Sequence, residues 1–429
     1  MTVTAPLPTP EQSVMAVAAT PRCRFCGAAL THTLVDLGMS PLCESFLGAD
    51  QLDTMEPFYP LHVRVCPSCL LVQLPAYVAP ESIFREYAYF SAYSDSWVEH
   101  SRRYVEAISA RLGLGPASHV VELASNDGYL LQHFVAAGIP ALGIEPAWNV
   151  AEAARARGVE TLTEFFGLEM ARQLVADGRA ADLVIGNNVL AQVPDLNDFV
   201  AGIAHLLKPD GVATLEFPHV VRLVEDGLFD TIYHEHFSYF SAGTIRRIAD
   251  AHGLRFFDVD ELPTHGGSLR VYLARRDGPA RETSPALASL LAREAAGGYD
   301  RLDGYTGFAA RVERVKRDLL GFLIQAREKG QRAVGYGAPG KGNTLLNYCG
   351  IRTDLLEFTV DRNPYKHGRF TPGTHIPIFP PEHLTAERPD LVLILPWNLR
   401  TEISAQLADV TRWGGRLVVA IPHLEVLAP

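Results

Sequence analysis

Two strand–turn–helix units constrain the fold of this chain more than any other feature. In the first, the apolar run His119-Val120-Val121-Glu122-Leu123 enters a tight turn, Ala124-Ser125-Asn126-Asp127-Gly128-Tyr129, and then a helical stretch from Leu130 to Ala137. In the second, Arg332-Ala333-Val334 runs into Gly335-Tyr336-Gly337-Ala338-Pro339-Gly340-Lys341-Gly342-Asn343 and a helix-like Thr344 to Tyr348. Short buried strands that feed small-residue turns and helices open doubly wound α/β domains, whose ligands bind beyond the carboxyl ends of parallel strands. With 429 residues, 48% of them hydrophobic, the chain can build two or three such cores.

The two units differ in ligand chemistry. The next strand of the first, Ala141-Leu142-Gly143-Ile144, ends in Glu145, placed to accept hydrogen bonds from both hydroxyls of a ribose. There is no G-x-G-x-x-G, and Glu122 before the turn would repel a pyrophosphate, so a cationic ligand is expected. S-adenosylmethionine fits, with its adenosine on Glu145 and its positive aminoacyl-sulfonium end near Glu122 and Asp127. Ala181 to Asn188 reads as a later strand closing over that site, and Arg255–Leu262 with Ser268–Arg275 as an antiparallel pair around His265-Gly266-Gly267. In the second unit Gly335, Gly337 and Gly340 match G-x-G-x-x-G, with Asp361 ending the next strand. Only Leu391–Leu395 and Arg416–Ile421 stand out as further strands, so this unit is small. It either binds a dinucleotide, grips a phosphate, or only packs. Residues 285–329 read as a helical connector.

Ahead of both units, Cys23-x-x-Cys26 and Cys66-x-x-Cys69 form two knuckles that close a tetrahedron around a structural zinc ion; four thiolates leave no open position for a catalytic water. Cys43 and Cys349 read as packed small side chains. A net charge of −11 argues against a nucleic-acid surface, although zinc ribbons often bind nucleic acid. No basic-then-apolar leader opens the chain and no apolar run reaches 18 residues, so a cytoplasmic protein with a disordered lead and no membrane span is expected.

Tyr233-His234-Glu235-His236-Phe237-Ser238-Tyr239-Phe240 places two histidines, a carboxylate and two phenols in one short apolar-flanked segment. Histidine titrates near neutrality, so this is a proton-handling cluster, with a buried structural cluster as the alternative.

Together the zinc cysteines, Tyr87-x-Tyr89-x-Ser91-x-Tyr93-Ser94, Glu122-x-Ala124-Ser125-Asn126-Asp127-Gly128, Glu145-Pro146, Glu164-Phe165-Phe166, Asp230 to Ser241, His265 to Arg270 and Gly335 to Pro339 resemble the sugar C-methyltransferases of antibiotic deoxysugar pathways. Those enzymes methylate C-3 of a nucleoside-diphosphate 4-keto-6-deoxysugar. The resemblance runs from Cys23 nearly to the end. It implies an α/β protein of three domains: a zinc-binding domain (1–80), a class I Rossmann-like methyltransferase domain (81–277), and a connector with a C-terminal Rossmann-like domain that helps hold the nucleotide (278–429).

It further implies S-adenosylmethionine and zinc but no NAD, a small-molecule nucleotide-sugar substrate, and a monomer or small homo-oligomer that binds neither nucleic acid nor membrane. His236 is implied as the base, beside Glu235, which would orient it, and Tyr233. The candidate cofactor-binding residues are Glu122, Ser125, Asn126, Asp127, Gly128, Glu145, Phe165 and Asn187. The candidate substrate-binding residues are Tyr87, Tyr89, Tyr93, Asn188, Gln192, His265 and Lys341, with the tyrosines closing over the substrate. Gln192 departs from the family, which usually has histidine there.

Overall fold

The computed structural model describes residues 20–78, 91–93 and 95–427. Three sheets organise the chain. The first lies in the cysteine-bearing region: His32–Ser40 pairs antiparallel with Tyr59–Val65, which pairs with the two-residue strand Val72–Gln73. Its last strand, Ser238–Tyr239, is borrowed from the histidine-rich segment and pairs with Val72–Gln73.

The second sheet has seven strands in the order Leu254–Leu262, Ser268–Arg275, Leu207–Pro218, Ala181–Asn187, Val120–Leu123, Ala141–Ile144, Glu160–Leu162. The last five run parallel, while Ser268–Arg275 is antiparallel to both its neighbours. Val120, Val121, Glu122 and Leu123 are all buried, as expected of a strand covered on both faces. The antiparallel pair 255–262 and 268–275 forms as expected. The long central strand Leu207–Pro218 escaped the sequence reading because Lys208-Pro209-Asp210-Gly211 at its start mimics a turn.

The third sheet, order Ile378–Phe379, Thr359–Val360, Ala333–Tyr336, Leu391–Ile394, Arg416–Val419, Glu425–Val426, is parallel except for its last strand. Residues 285–329 are not one helix. Pro285–Ala296 and Phe308–Glu328 are separated by a turn through Gly297, Gly298 and Gly304. A side chain on Gly304 would meet the Gly298 backbone at 2.7 Å, so only glycine lets the chain cross itself there. The first sheet packs with the third and with helix Phe308–Glu328 in one continuous core.

Candidate active site at the carboxyl edge of the seven-stranded sheet

Several loops at the carboxyl edge of the second sheet hold backbone in uncommon conformations. Ala124, Asn126, Asn188 and His265 all have positive φ, between 49° and 56°, although none is glycine. Such conformations cost on the order of 1–3 kcal/mol each and cluster at functional sites. Gly128, at φ 77°, lies so close to Ala154 and Val159 that a side chain would press on helix Trp148–Ala156 and the chain just after it. It shapes the turn by packing.

Around that turn, several buried polar atoms lack partners among the described residues. Ser125 Oγ, Asp127 Oδ1 and both amide atoms of Asn187 have none at hydrogen-bond geometry, although the Tyr129 hydroxyl lies near Asn187. The same holds for both Glu122 oxygens, although the Tyr129 hydroxyl is close enough to hold that carboxyl's pKa down in part. Burial, reinforced by Glu145 and Asp127, pushes the Glu122 pKa well up. Asp127 is raised by burial against the pull of Arg157, 3.1 Å away. Glu145 accepts from the amides of Asn126 and Ala147, both at 2.9 Å, and burial raises it to about 7. A cationic ligand with ribose hydroxyls supplies what these groups lack. Phe165 is 42% exposed. Ser91 and Ala92 donate to Asn126 and Asp127, so the end of the tyrosine-rich segment docks on this turn. Tyr87 and Tyr89 lie outside the described residues, and Tyr93 is described only in its backbone.

Next to this pocket sits the histidine cluster. His236 Nδ1 bonds the Thr231 carbonyl at 2.9 Å, which makes Nδ1 the donor and leaves the Nε2 lone pair free. Burial, aided by Lys341, lowers its pKa to about 4, so the ring is neutral at physiological pH. Tyr233 stacks on it with ring centroids 4.0 Å apart, and burial raises the phenol well above its usual range, keeping it a donor. The expectation that Glu235 orients His236 is corrected: the Thr231 carbonyl does this, one turn earlier in the chain. Glu235 instead meets the buried Cys43 thiol at 3.6 Å. Cys43 is buried as expected, but against the site. His234 faces away, bonding the Pro60 carbonyl.

Opposite His236 the other candidates converge. His265 Nε2 lies 3.3 Å from Asn188 Nδ2, and burial next to Lys341 lowers His265 to about 4. Lys341 donates to Asn398 and lies 5.0 Å from the Trp397 ring, whose Nε1 donates to Asp230. Asp230 is raised to about 6 by burial, with Lys341 opposing. Gln192 ends the short helical turn Leu190–Gln192, half-buried.

Sequence reasoning missed Asp230 and Trp397 as residues of this cluster, and it missed a buried polar group beside it. There the buried Glu216 accepts from His100, Arg270 and Thr264, at 3.2, 2.6 and 3.0 Å. Trp97 stacks on His100 and Tyr129 and meets the edge of His265. The signal available was a charged residue, Glu216, inside the apolar run Val212–Phe217.

The second glycine-rich turn is already filled. Asp361 accepts from the Ala338 and Asn363 amides, at 2.7 and 2.8 Å. Lys366 donates to the Ala338 carbonyl and pairs with Glu44, 3.4 Å away. Glu44, from the first domain, lies close enough to the Gly340 amide, at the start of helix Gly340–Cys349, for that amide to offset in part the rise that burial gives its pKa, and a side chain on Gly340 would strike Cys43 Sγ at 2.8 Å. A carboxylate of the chain itself thus occupies the helix N-terminus that a dinucleotide phosphate would use.

The four cysteine sulfurs lie within 4.8 Å of one another, with Cys23–Cys69 and Cys26–Cys66 each at 3.5 Å. Zinc–sulfur bonds of about 2.3 Å put tetrahedral sulfurs about 3.8 Å apart, so the set fits zinc. Gln73 Nε2 donates to Cys23 at 3.1 Å as an outer partner.

Three family models match the chain in register with this architecture: a zinc binding domain over 23–84, a methyltransferase domain over 97–258, and a C-methyltransferase C-terminal domain over 263–422. The C-methyltransferase NovU of Streptomyces niveus is 36% identical over 409 residues, 95% of this chain and 96% of that protein. The chain belongs to the C-methyltransferase family. It is an S-adenosylmethionine-dependent C-methyltransferase with a four-cysteine zinc site. Among solved structures, the magnesium protoporphyrin IX methyltransferase of Synechocystis PCC 6803 is 19% identical, covering 42% of this chain and 82% of that one, at a TM-score of 0.32. A methyltransferase in complex with the Trm112 activator of Haloferax volcanii is 16% identical, covering 42% and 94%, at 0.33. Likenesses at these scores say nothing about function. Among the described residues no helix is long and apolar enough to cross a membrane.

Proposed function

We propose that this C-methyltransferase methylates C-3 of a nucleoside-diphosphate 4-keto-6-deoxysugar, with His236 as the base. The observation that carries this reading is a buried, neutral histidine whose Nδ1 is tied to a backbone carbonyl, leaving Nε2 as the ring's basic atom. Protons alpha to a ketone are acidic because the anion is an enolate. Carbon methylation of such a sugar therefore needs a base and an oxygen-side donor, whereas transfer to a free amine does not need an enolising base.

In this reading His236 Nε2 removes the C-3 proton. Tyr233, kept protonated by burial, donates to the C-4 oxygen as charge develops there. Glu145 holds the ribose of S-adenosylmethionine, while Asp127 and Glu122 complement its cationic end. That donor supplies an electrophilic methyl group when bound. Asn188, Gln192, His265 and Lys341 line the sugar side, with Lys341 available to a phosphate; Tyr87, Tyr89 and Tyr93 would close over it. The zinc cysteines take no chemical part. The division at 1–80, 81–277 and 278–429 is likewise our assignment, with the borrowed strand 238–239 tying the first two domains together.

The test is a panel of nucleotide sugars with and without a 4-keto group, incubated with methyl-labelled S-adenosylmethionine. Mass spectrometry and carbon NMR should show a new C-methyl at C-3 only for the 4-keto members. Equal methylation of sugars lacking the ketone would overturn the reading.

A further inference from the structure

We propose that Arg24, the residue following the first zinc cysteine, is a positioning residue for the methyl-transfer site. The inference rests on the reading that His236 is the base. Three segments far apart in sequence meet under this one side chain. Nη1 donates to the Pro194 carbonyl at 2.9 Å, and Nη2 donates to the Leu74 carbonyl. The guanidinium carbon lies 5.3 Å from the centroid of Phe237, the residue after His236. Each anchor holds the base segment independently. The Phe237 amide donates to the Ala191 carbonyl at 2.7 Å, and its carbonyl accepts from the Leu74 amide at 3.0 Å. Ala191 and Pro194 flank Gln192 in the turn facing the substrate side. Arg24 therefore cross-links the two backbone segments between which His236 is suspended.

The other end of Arg24 is fixed just as firmly. Its amide donates to Gln73 Oε1 at 2.9 Å, while Gln73 Nε2 bonds the zinc ligand Cys23. Asn197 donates back to the Arg24 and Phe25 carbonyls, at 3.2 and 3.0 Å. Among the described residues its two terminal nitrogens bond carbonyls, not carboxylates. A cation that spends both arms on two loop carbonyls is suited to geometry. A planar fork does this and a lysine ammonium does not, because it offers a compact point charge on a flexible stem. Shifting a base by about 1 Å can cost on the order of 100-fold in rate.

The experiment compares Arg24→Lys and Arg24→Gln with wild type for zinc content, melting temperature, S-adenosylmethionine affinity, and kcat and KM for the sugar. Arg24→Lys should keep one zinc per chain, wild-type melting, and cofactor Kd and sugar KM within about threefold. Its kcat should fall about 10- to 100-fold. Arg24→Gln should fall at least as far. A kcat for Arg24→Lys within twofold of wild type would overturn the proposal, as would loss of zinc or of folded protein in proportion to lost activity. If Arg24→Gln does not fold, the lysine variant decides alone. The comparison is made on whichever acceptor wild-type enzyme methylates, so a wrong sugar or a wrong base shows separately, as activity on another substrate or in His236→Asn.

Discussion

The chain contains two mainly parallel sheets with small-residue turns at their carboxyl edges, and the two edges are finished in opposite ways. At the seven-stranded sheet, Glu122, Ser125, Asp127 and Asn187 keep buried polar atoms without partners at hydrogen-bond geometry among the described residues. At the C-terminal sheet, Asp361 is capped by two amides, Lys366 is held by Ala338 and Glu44, and Glu44 sits on the Gly340 amide. Leaving a buried polar group unmade costs about 1–3 kcal/mol, so an enzyme tolerates several together only where a ligand completes them. The glycine-rich motif is the better match to a dinucleotide fingerprint, yet it is the filled edge. Motif geometry reports how closely backbone can approach something; here that something is the zinc domain.

Removing the base is the strongest way to test what the open edge is for. His236→Asn should lower kcat about 100- to 10,000-fold while S-adenosylmethionine binding stays within about twofold, read by turnover and calorimetry. Retained turnover would move the base to His265 or a tyrosinate and detach the chemistry from the Thr231-anchored ring.

A smaller loss is expected from the cofactor side. Glu145→Ala removes a charged acceptor, about 1.5–3 kcal/mol per bond, or roughly 10- to 100-fold in Kd. Glu294→Ala, at a distant helix cap, should leave Kd unchanged.

The pH dependence separates Glu145 from His236. Because burial raises Glu145 to about 7, the folded cofactor-free protein binds this proton more tightly than the unfolded chain does. Its stability therefore falls as pH rises from about 4 to about 7. Ionised Glu145 is the better ribose acceptor, so S-adenosylmethionine should bind up to about tenfold tighter at pH 8 than at pH 6, and Glu145→Gln should flatten that slope. His236, lowered to about 4, is already neutral across this range, so kcat at saturating ligands should show no acid limb near 6.5. Such a limb would mean that the base is less buried than its surroundings here.

The least change is expected at the filled edge. Glu44→Gln or Asp361→Asn should cost about 1–2 kcal/mol of stability and leave S-adenosylmethionine affinity as it is. Neither should create NAD binding, measured by calorimetry. If Glu44→Gln admits NAD or free phosphate, the contrast between the edges is one of competition and not of design.

What was legible in the sequence follows from how local the cause is. The cysteine knuckles, the strand that holds Glu122 and the antiparallel pair around His265 are set by neighbouring residues, and each stands where the pattern puts it. The borrowed strand Ser238–Tyr239 was not legible, because two residues have no periodicity and their partner lies at Val72–Gln73. For the same reason Glu235 was misassigned as the orienter of His236. Adjacency suggested it, whereas the backbone turn brings the Thr231 carbonyl to Nδ1 and sends the Glu235 carboxylate to Cys43. Asp230 and Trp397 meet across 167 positions, and nothing near either residue announces the contact.

The central claim is that the open edge sits beside a base that makes a carbon nucleophile. Incubating wild-type enzyme in deuterium oxide with a 4-keto sugar nucleotide and a non-methylating cofactor analogue, and following C-3 by proton NMR, tests it most directly. The account predicts exchange of the C-3 proton in wild type and in Glu44→Gln, and none in His236→Asn. Exchange that persists at wild-type rate in His236→Asn would contradict it.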